Sequence, residues 1–132
     1  MFAGTLRVRP LLAFAPADAA FAQRVGAFVR EVVIPLEKDP RNGAHGPDDS
    51  LRKQLNELAR LSGLLAPQVA RRYGGLALTH VQRSAVFEAA GYSPLGPIAL
   101  HCAAPDEGNM HLLEEVANET QKERFLLPLA QA

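Results

Sequence analysis

Cysteine is nearly missing from this chain, which carries Cys102 alone among 132 residues. An intramolecular disulfide is therefore excluded, and a reducing, cytosol-like compartment is the simpler setting. Charge of either sign is not in surplus, with 14 Lys+Arg against 14 Asp+Glu. A nucleic-acid binder would carry a basic excess, so that class is set aside; a balanced charge also favours association near neutral pH. No apolar run approaches the roughly 18 residues a membrane span needs. Internal repeats and low-complexity tracts are absent. So are a nucleophile elbow, a phosphate loop and a dinucleotide fingerprint, since Tyr73-Gly74-Gly75 lacks both the spacing and the preceding strand.

The titratable residues form no recognisable site either. His45, His80, His101 and His111 show no paired helical spacing suited to a metal ion. His101 and Cys102 adjoin, so on a helix they point to different faces, and Cys102 reads most simply as a small core residue. The neighbours Glu114-Glu115 and Asp48-Asp49 diverge by about 100° on a helix and make no acid–base pair. Local chemistry thus assigns no catalytic, cofactor-binding or metal-binding residue.

What is present is helical periodicity. Hydrophobic residues make up 48% of the chain, enough for one folded domain of this length. Phe21, Val25, Phe28, Val29, Val32, Val33 and Leu36 form one apolar stripe on a first helix with Asp18 as its N-cap. Pro35 kinks or ends it, because proline removes a backbone donor and clashes one turn back. The run 38–49 is dense in turn signals and is predicted to be the most mobile segment. A second helix from Ser50 carries Leu51, Leu55, Leu58 and Ala59, and Gly63 stops it. Thr79 with Gln82 makes a capping box for a third helix ending near Gly91. Ser93-Pro94 opens a fourth through Leu95, Ile98, Ala99 and Cys102. It is apolar nearly all round, so it is central or lies against something outside this chain. The fifth runs from Asn109 to Ala117, with Asp106 and Asn109 available to satisfy its free N–H groups. Asn118 with Gln121 caps the sixth, which ends near Pro128. No period-2 segment competes, and the expected fold is all-α, a bundle of about six helices.

The N-terminus fits two readings. Arg7 and Arg9 precede the apolar stretch 11–15, and no acidic residue comes before Asp18. That pattern suits a targeting peptide; the shortness of the stretch and Pro16 favour a loosely ordered leader instead. The expected organisation is a leader over 1–16 and a helical domain over 17–132.

Five segments then recur in an order and spacing that belong together. They are Phe28-Val29-Arg30-Glu31-Val32-Val33-Ile34-Pro35-Leu36-Glu37; Leu61-Ser62-Gly63-Leu64-Leu65-Ala66-Pro67 leading to Tyr73-Gly74-Gly75-Leu76-Ala77-Leu78; Phe87-Glu88-Ala89-Ala90-Gly91-Tyr92-Ser93; Ala104-Pro105-Asp106-Glu107-Gly108-Asn109-Met110; and the helix of Glu119-Thr120-Gln121-Lys122 that runs to Leu127-Pro128-Leu129. Together they resemble the N-terminal helical domain of the FAD-dependent acyl-CoA dehydrogenases, in the branch with an Ala-Pro-Asp-x-Gly-Asn-Met segment. The likeness covers about 28–129. Ala77 stands where that family usually has glycine, and Ala89 where it commonly has an acidic residue.

The resemblance implies a helical N-terminal domain followed by a β-domain and a helical C-terminal domain. It implies α,β-dehydrogenation of an acyl-CoA to a trans-2-enoyl-CoA, with FAD accepting the β hydride and a C-terminal-domain glutamate taking the α proton. Electron-transferring flavoprotein would be the electron acceptor, and the complete enzyme would be a homo-oligomer. A cytoplasmic setting follows, or the mitochondrial matrix in a eukaryote. By position, Leu100, Ala104 and Gly108 would help wall the acyl cavity as substrate-binding residues. Ala103 and Ala104 either leave room for a long or bulky chain or allow close helix packing. The Gly108-Asn109-Met110 step is a helix-entry device or borders the substrate. The glutamate and the flavin-contact segment have no counterpart here, so the isolated chain is expected to bind no FAD and turn over nothing. Leu127-Pro128-Leu129 is expected to redirect the chain towards the β-domain. The alternatives are a stand-alone helical binding or scaffold module and a subunit completed by another polypeptide.

Overall fold

The structure, a computed structural model, describes residues 16–132. The expected leader and the targeting reading lie outside the described residues, apart from Pro16 at the head of the first helix.

That helix, α1 (Pro16–Phe28), continues into a π turn over Val29–Val33 and a 3-10 turn over Ile34–Lys38. Its apolar stripe supplies Val25, Phe28, Val29 and Val33 to the core. Asp18, expected as the N-cap, lies instead in the first turn, where its carboxylate accepts from Gln82 Nε2 at 2.7 Å. Within 38–49 the chain forms a hairpin of two-residue strands, β1 (Asn42–Gly43) and β2 (Gly46–Pro47), paired antiparallel. Arg41 ties this hairpin down. It donates to both carboxylate oxygens of Asp39, at 2.7 and 2.9 Å, to Ser50 Oγ at 2.9 Å and to Gln54 Oε1 at 2.7 Å. The segment predicted as the most mobile is thus clasped to the next helix.

Helix α2 (Asp49–Leu61) is capped by Asp48, whose carboxylate accepts from the Leu51 N–H at 2.8 Å. It buries Leu51, Leu55 and Ala59. A 3-10 turn over Arg71–Tyr73 leads to Gly74, at φ 91°, and to Gly75, where a Cβ would lie 2.1 Å from the Val69 carbonyl oxygen. Only glycine fits that approach. The capping box of Thr79 and Gln82 is formed at the head of α3 (His80–Ala90). Next comes α4 (Gly96–Ala99), then α5 (Asp106–Val116). The Asn118–Gln121 capping box opens α6 (Glu119–Gln121), which passes through a π turn over Lys122–Leu126 into α7 (Leu127–Ala130).

Three expectations are corrected. The fourth helix does not reach Cys102: it ends at Ala99. The fifth begins at Asp106, three residues early, and no side chain caps it, so Asp106 and Asn109 do not play that part. Pro128 does not end its helix but sits in the first turn of α7, and the helical run continues to Ala130. The last has a physical basis shared with Pro35. In both rods the residue just before the proline donates five residues back, Ile34 to the Val29 carbonyl and Leu127 to the Lys122 carbonyl. The wider π turn moves backbone away from the proline ring, where a regular turn would clash with the carbonyl four residues earlier.

The architecture is an all-α bundle with little strand. α1 packs most extensively on α3, α2 on α4, and α5 against the rod that ends in α7. Leu95, Gly96, Ala99 and Leu100 are buried, so α4 lies at the centre of the bundle. Among the described residues no helix is long and apolar enough to cross a membrane.

Candidate functional site

The segment following α4 is held by a row of hydrogen bonds. Asn56, buried on α2, donates through Nδ2 to the carbonyls of Ile98 at 2.8 Å and Ala99 at 3.2 Å. The Leu100 carbonyl accepts from the Ala66 N–H at 2.8 Å, and the His101 carbonyl from Gln68 Nε2 at 3.0 Å. Four consecutive carbonyls are thereby engaged from outside α4. His101 takes φ 56°, a left-handed conformation that stops the helix one turn before the sequence suggests. Its ring Nε2 lies 2.7 Å from the Leu129 carbonyl oxygen. A carbonyl only accepts, so Nε2 carries the proton.

The three residues expected along the acyl wall fall in different surroundings. Leu100 is fully buried in the core. Ala104 is exposed and borders a cavity of about 240 Å³, together with Ile98, His101, Ala103, Asp106 and, from the opposite side, His45, Pro47 and Arg52. Gly108 is exposed, and a Cβ there would meet nothing within 4 Å. The structure thus brings Ala104 and its neighbour Ala103 to a cavity, sets Leu100 behind them, and leaves Gly108 on open surface in the first turn of α5.

The other titratable residues divide the same way. Cys102 is buried, and burial, with a smaller contribution from Glu107, pushes its thiol up to about 12. His80 and His111 both line a cavity of about 300 Å³, with Arg83, Ser84, Phe87 and Glu107. Among the described residues no group of three or more His, Cys, Asp or Glu is placed to hold a metal ion. Asp48 is a cap, and Asp49 lies 3.4 Å from Arg52 on the exposed face of α2.

Sequence reasoning missed Asn56, Gln68 and the role of His101. A signal existed for Asn56, which sits beside Leu55 and three residues before Ala59, on the edge of an apolar stripe. A polar residue there needs a buried partner. For Gln68 and His101 the partners lie 33 and 28 residues away, beyond any local pattern.

Residues 15–132 match the family described as acyl-CoA dehydrogenase, N-terminal domain. The chain is 31% identical over 124 residues to acyl-CoA dehydrogenase family member 10 of Mus musculus, covering 86% of this chain and 12% of that protein. It is 32% identical over 116 residues to the Mycobacterium tuberculosis protein named "Probable acyl-CoA dehydrogenase FadE2", covering 83% and 28% respectively. A solved Mycobacterium abscessus structure, described as a candidate acyl-CoA dehydrogenase, superposes with a TM-score of 0.75 at 26% identity, over 91% of this chain and 33% of that one. The chain therefore spans about a third or less of each protein it matches.

Proposed function

This chain belongs to the acyl-CoA dehydrogenase family, and from that membership we propose that it works as the N-terminal helical domain of an FAD-dependent enzyme. That enzyme converts an acyl-CoA to its trans-2-enoyl-CoA, passes electrons to an electron-transferring flavoprotein, and assembles as a cytoplasmic homo-oligomer. The domain's part is to wall the acyl cavity. Ala104 stands against the acyl chain, Leu100 backs it from the core, and Gly108 keeps the start of α5 clear of side-chain bulk. The observation that carries the reading is the family match over the whole described chain. The meeting of Ala103 and Ala104 at an open cavity supports the assignment of the wall.

The residues present do not fit a flavin by themselves. A flavin's diphosphate needs free cationic or N–H donors. The cavity of about 650 Å³ beside α7 has one guanidinium, Arg60, and that is engaged by Glu57 and the Gln131 carbonyl. No redox step is assigned to this chain, and the isolated chain is inactive on this reading. Exposed Leu61, Leu112 and Val116, at 77%, 57% and 71%, favour a domain that packs against others. A stand-alone binding module would have little need of them.

The test is the reading frame beyond codon 132. Continuation through a β-rich segment into a second helical domain with a glutamate base supports the proposal. An immediate stop favours the stand-alone helical module and removes the enzyme assignment.

A further inference from the structure

The segment 98–101 is fastened on one side by Asn56, Ala66 and Gln68, all from α2 and the loop that follows it. On the other side stands α7, and His101 reaches it through its ring, with Nε2 2.7 Å from the Leu129 carbonyl oxygen. His101 is 6% exposed and takes a left-handed backbone, φ 56°, that side chains rarely adopt. Such a conformation persists only where the surroundings over-determine it. Glycine would take this backbone more easily and would lose the ring contact, so backbone geometry alone does not account for a histidine here. Three residues on, the same segment presents Ala104 to its cavity.

We propose that His101 is a positioning residue: its ring fastens the segment 98–104 to α7 through the Leu129 carbonyl, so that wall and rod move as one body. The consequence for substrate rests on the reading that Ala104 borders the acyl chain. On that reading, the seating of α7 sets the room beside Ala104. The latch itself stands on the contacts within this chain.

Amide hydrogen exchange on the 132-residue chain tests it, comparing wild type with His101→Leu and His101→Gln. The leucine variant is expected to speed exchange about tenfold in 100–104 and in 126–130 together, with α3 unchanged. The glutamine variant, whose side-chain amide can still donate to the carbonyl, restores most of the protection. Equal behaviour of the two variants, loosening of one segment without the other, or uniform loosening of the whole chain overturns the proposal. Should the leucine variant fail to fold, the nitrogen spectrum of the wild-type ring decides. Nε2 observed as N–H and coupled to the Leu129 carbonyl supports the latch, and an unprotonated Nε2 overturns it. A photoreactive acyl-CoA that fails to label Ala104 in the complete polypeptide would sink the acyl-wall reading while leaving the exchange result intact.

Discussion

The Ala66 N–H donates to the Leu100 carbonyl at 2.8 Å, joining two segments that each carry a non-glycine residue at positive φ. Ala66 itself is at 51°, and His101, next to Leu100, is at 56°. Each such residue costs about 1–3 kcal/mol and persists where dense contacts hold it. Here they lie on either side of one hydrogen bond, at the root of the segment that leads to Ala104. Two such residues thus flank the segment proposed to form the acyl wall.

Replacing Asn56 tests that support. Asn56→Leu keeps the size but leaves the Ile98 and Ala99 carbonyls without their side-chain donor. Stability should fall by about 1–3 kcal/mol, chiefly because the Ala99 carbonyl loses a buried partner, whereas the Ile98 carbonyl still accepts from the His101 N–H. Urea denaturation should show a lower midpoint with an unchanged slope.

Two glycine substitutions should behave oppositely. A Cβ at Gly96 would lie 1.9 Å from the Ala90 carbonyl oxygen, so Gly96→Ala must push α4 away from the end of α3. A loss of about 3 kcal/mol or failure to fold is expected. Gly108 has open space and sits in a helix, so Gly108→Ala should stabilise by up to about 1 kcal/mol. Thermal unfolding of the two variants side by side checks both signs.

Acid should weaken the clasp on the hairpin. Hydrogen bonds from the Arg41 side chain and then its backbone N–H lower the Asp39 carboxyl from 3.8 to about 2. A depressed carboxyl contributes stability that is present above its unfolded value and lost as pH falls through the folded one. Asp39→Asn should therefore flatten the fall in thermal midpoint between about pH 5 and about pH 1, leaving other acid-sensitive groups unaffected.

The Cys102 thiol should be inert in the folded chain. Burial first, and Glu107 second, push it up to about 12, so little thiolate exists near pH 8. Alkylation should run about a thousandfold slower than in denaturant. Glu107→Gln should leave it slow, because burial is the larger cause.

Local chemistry made part of this fold legible. The capping boxes at Thr79 and Asn118 each need only a side chain and an N–H three residues on, and both formed. The stripes of α1 and α2 followed from helical spacing for the same reason. The early end of α4 was not legible, because Asn56, Ala66 and Gln68 take the carbonyls of 98–101 from far along the chain. Pro128 misled for a related reason. A proline in a helix reads as a stop unless the π turn ahead of it is foreseen, and no residue type announces that turn. At the candidate site, Ala104 and Leu100 were named through resemblance alone; the structure sets Ala104 at a cavity and buries Leu100 in the core.

Product analysis on the polypeptide that carries this domain tests the central claim most directly. Incubated with saturated acyl-CoAs and an electron acceptor, it should yield the trans-2-enoyl-CoA while its flavin is reduced by the same substrate, whereas the 132-residue chain alone should give neither. A complete polypeptide that binds acyl-CoA but forms no enoyl product, with no reduction of a flavin, would contradict the account.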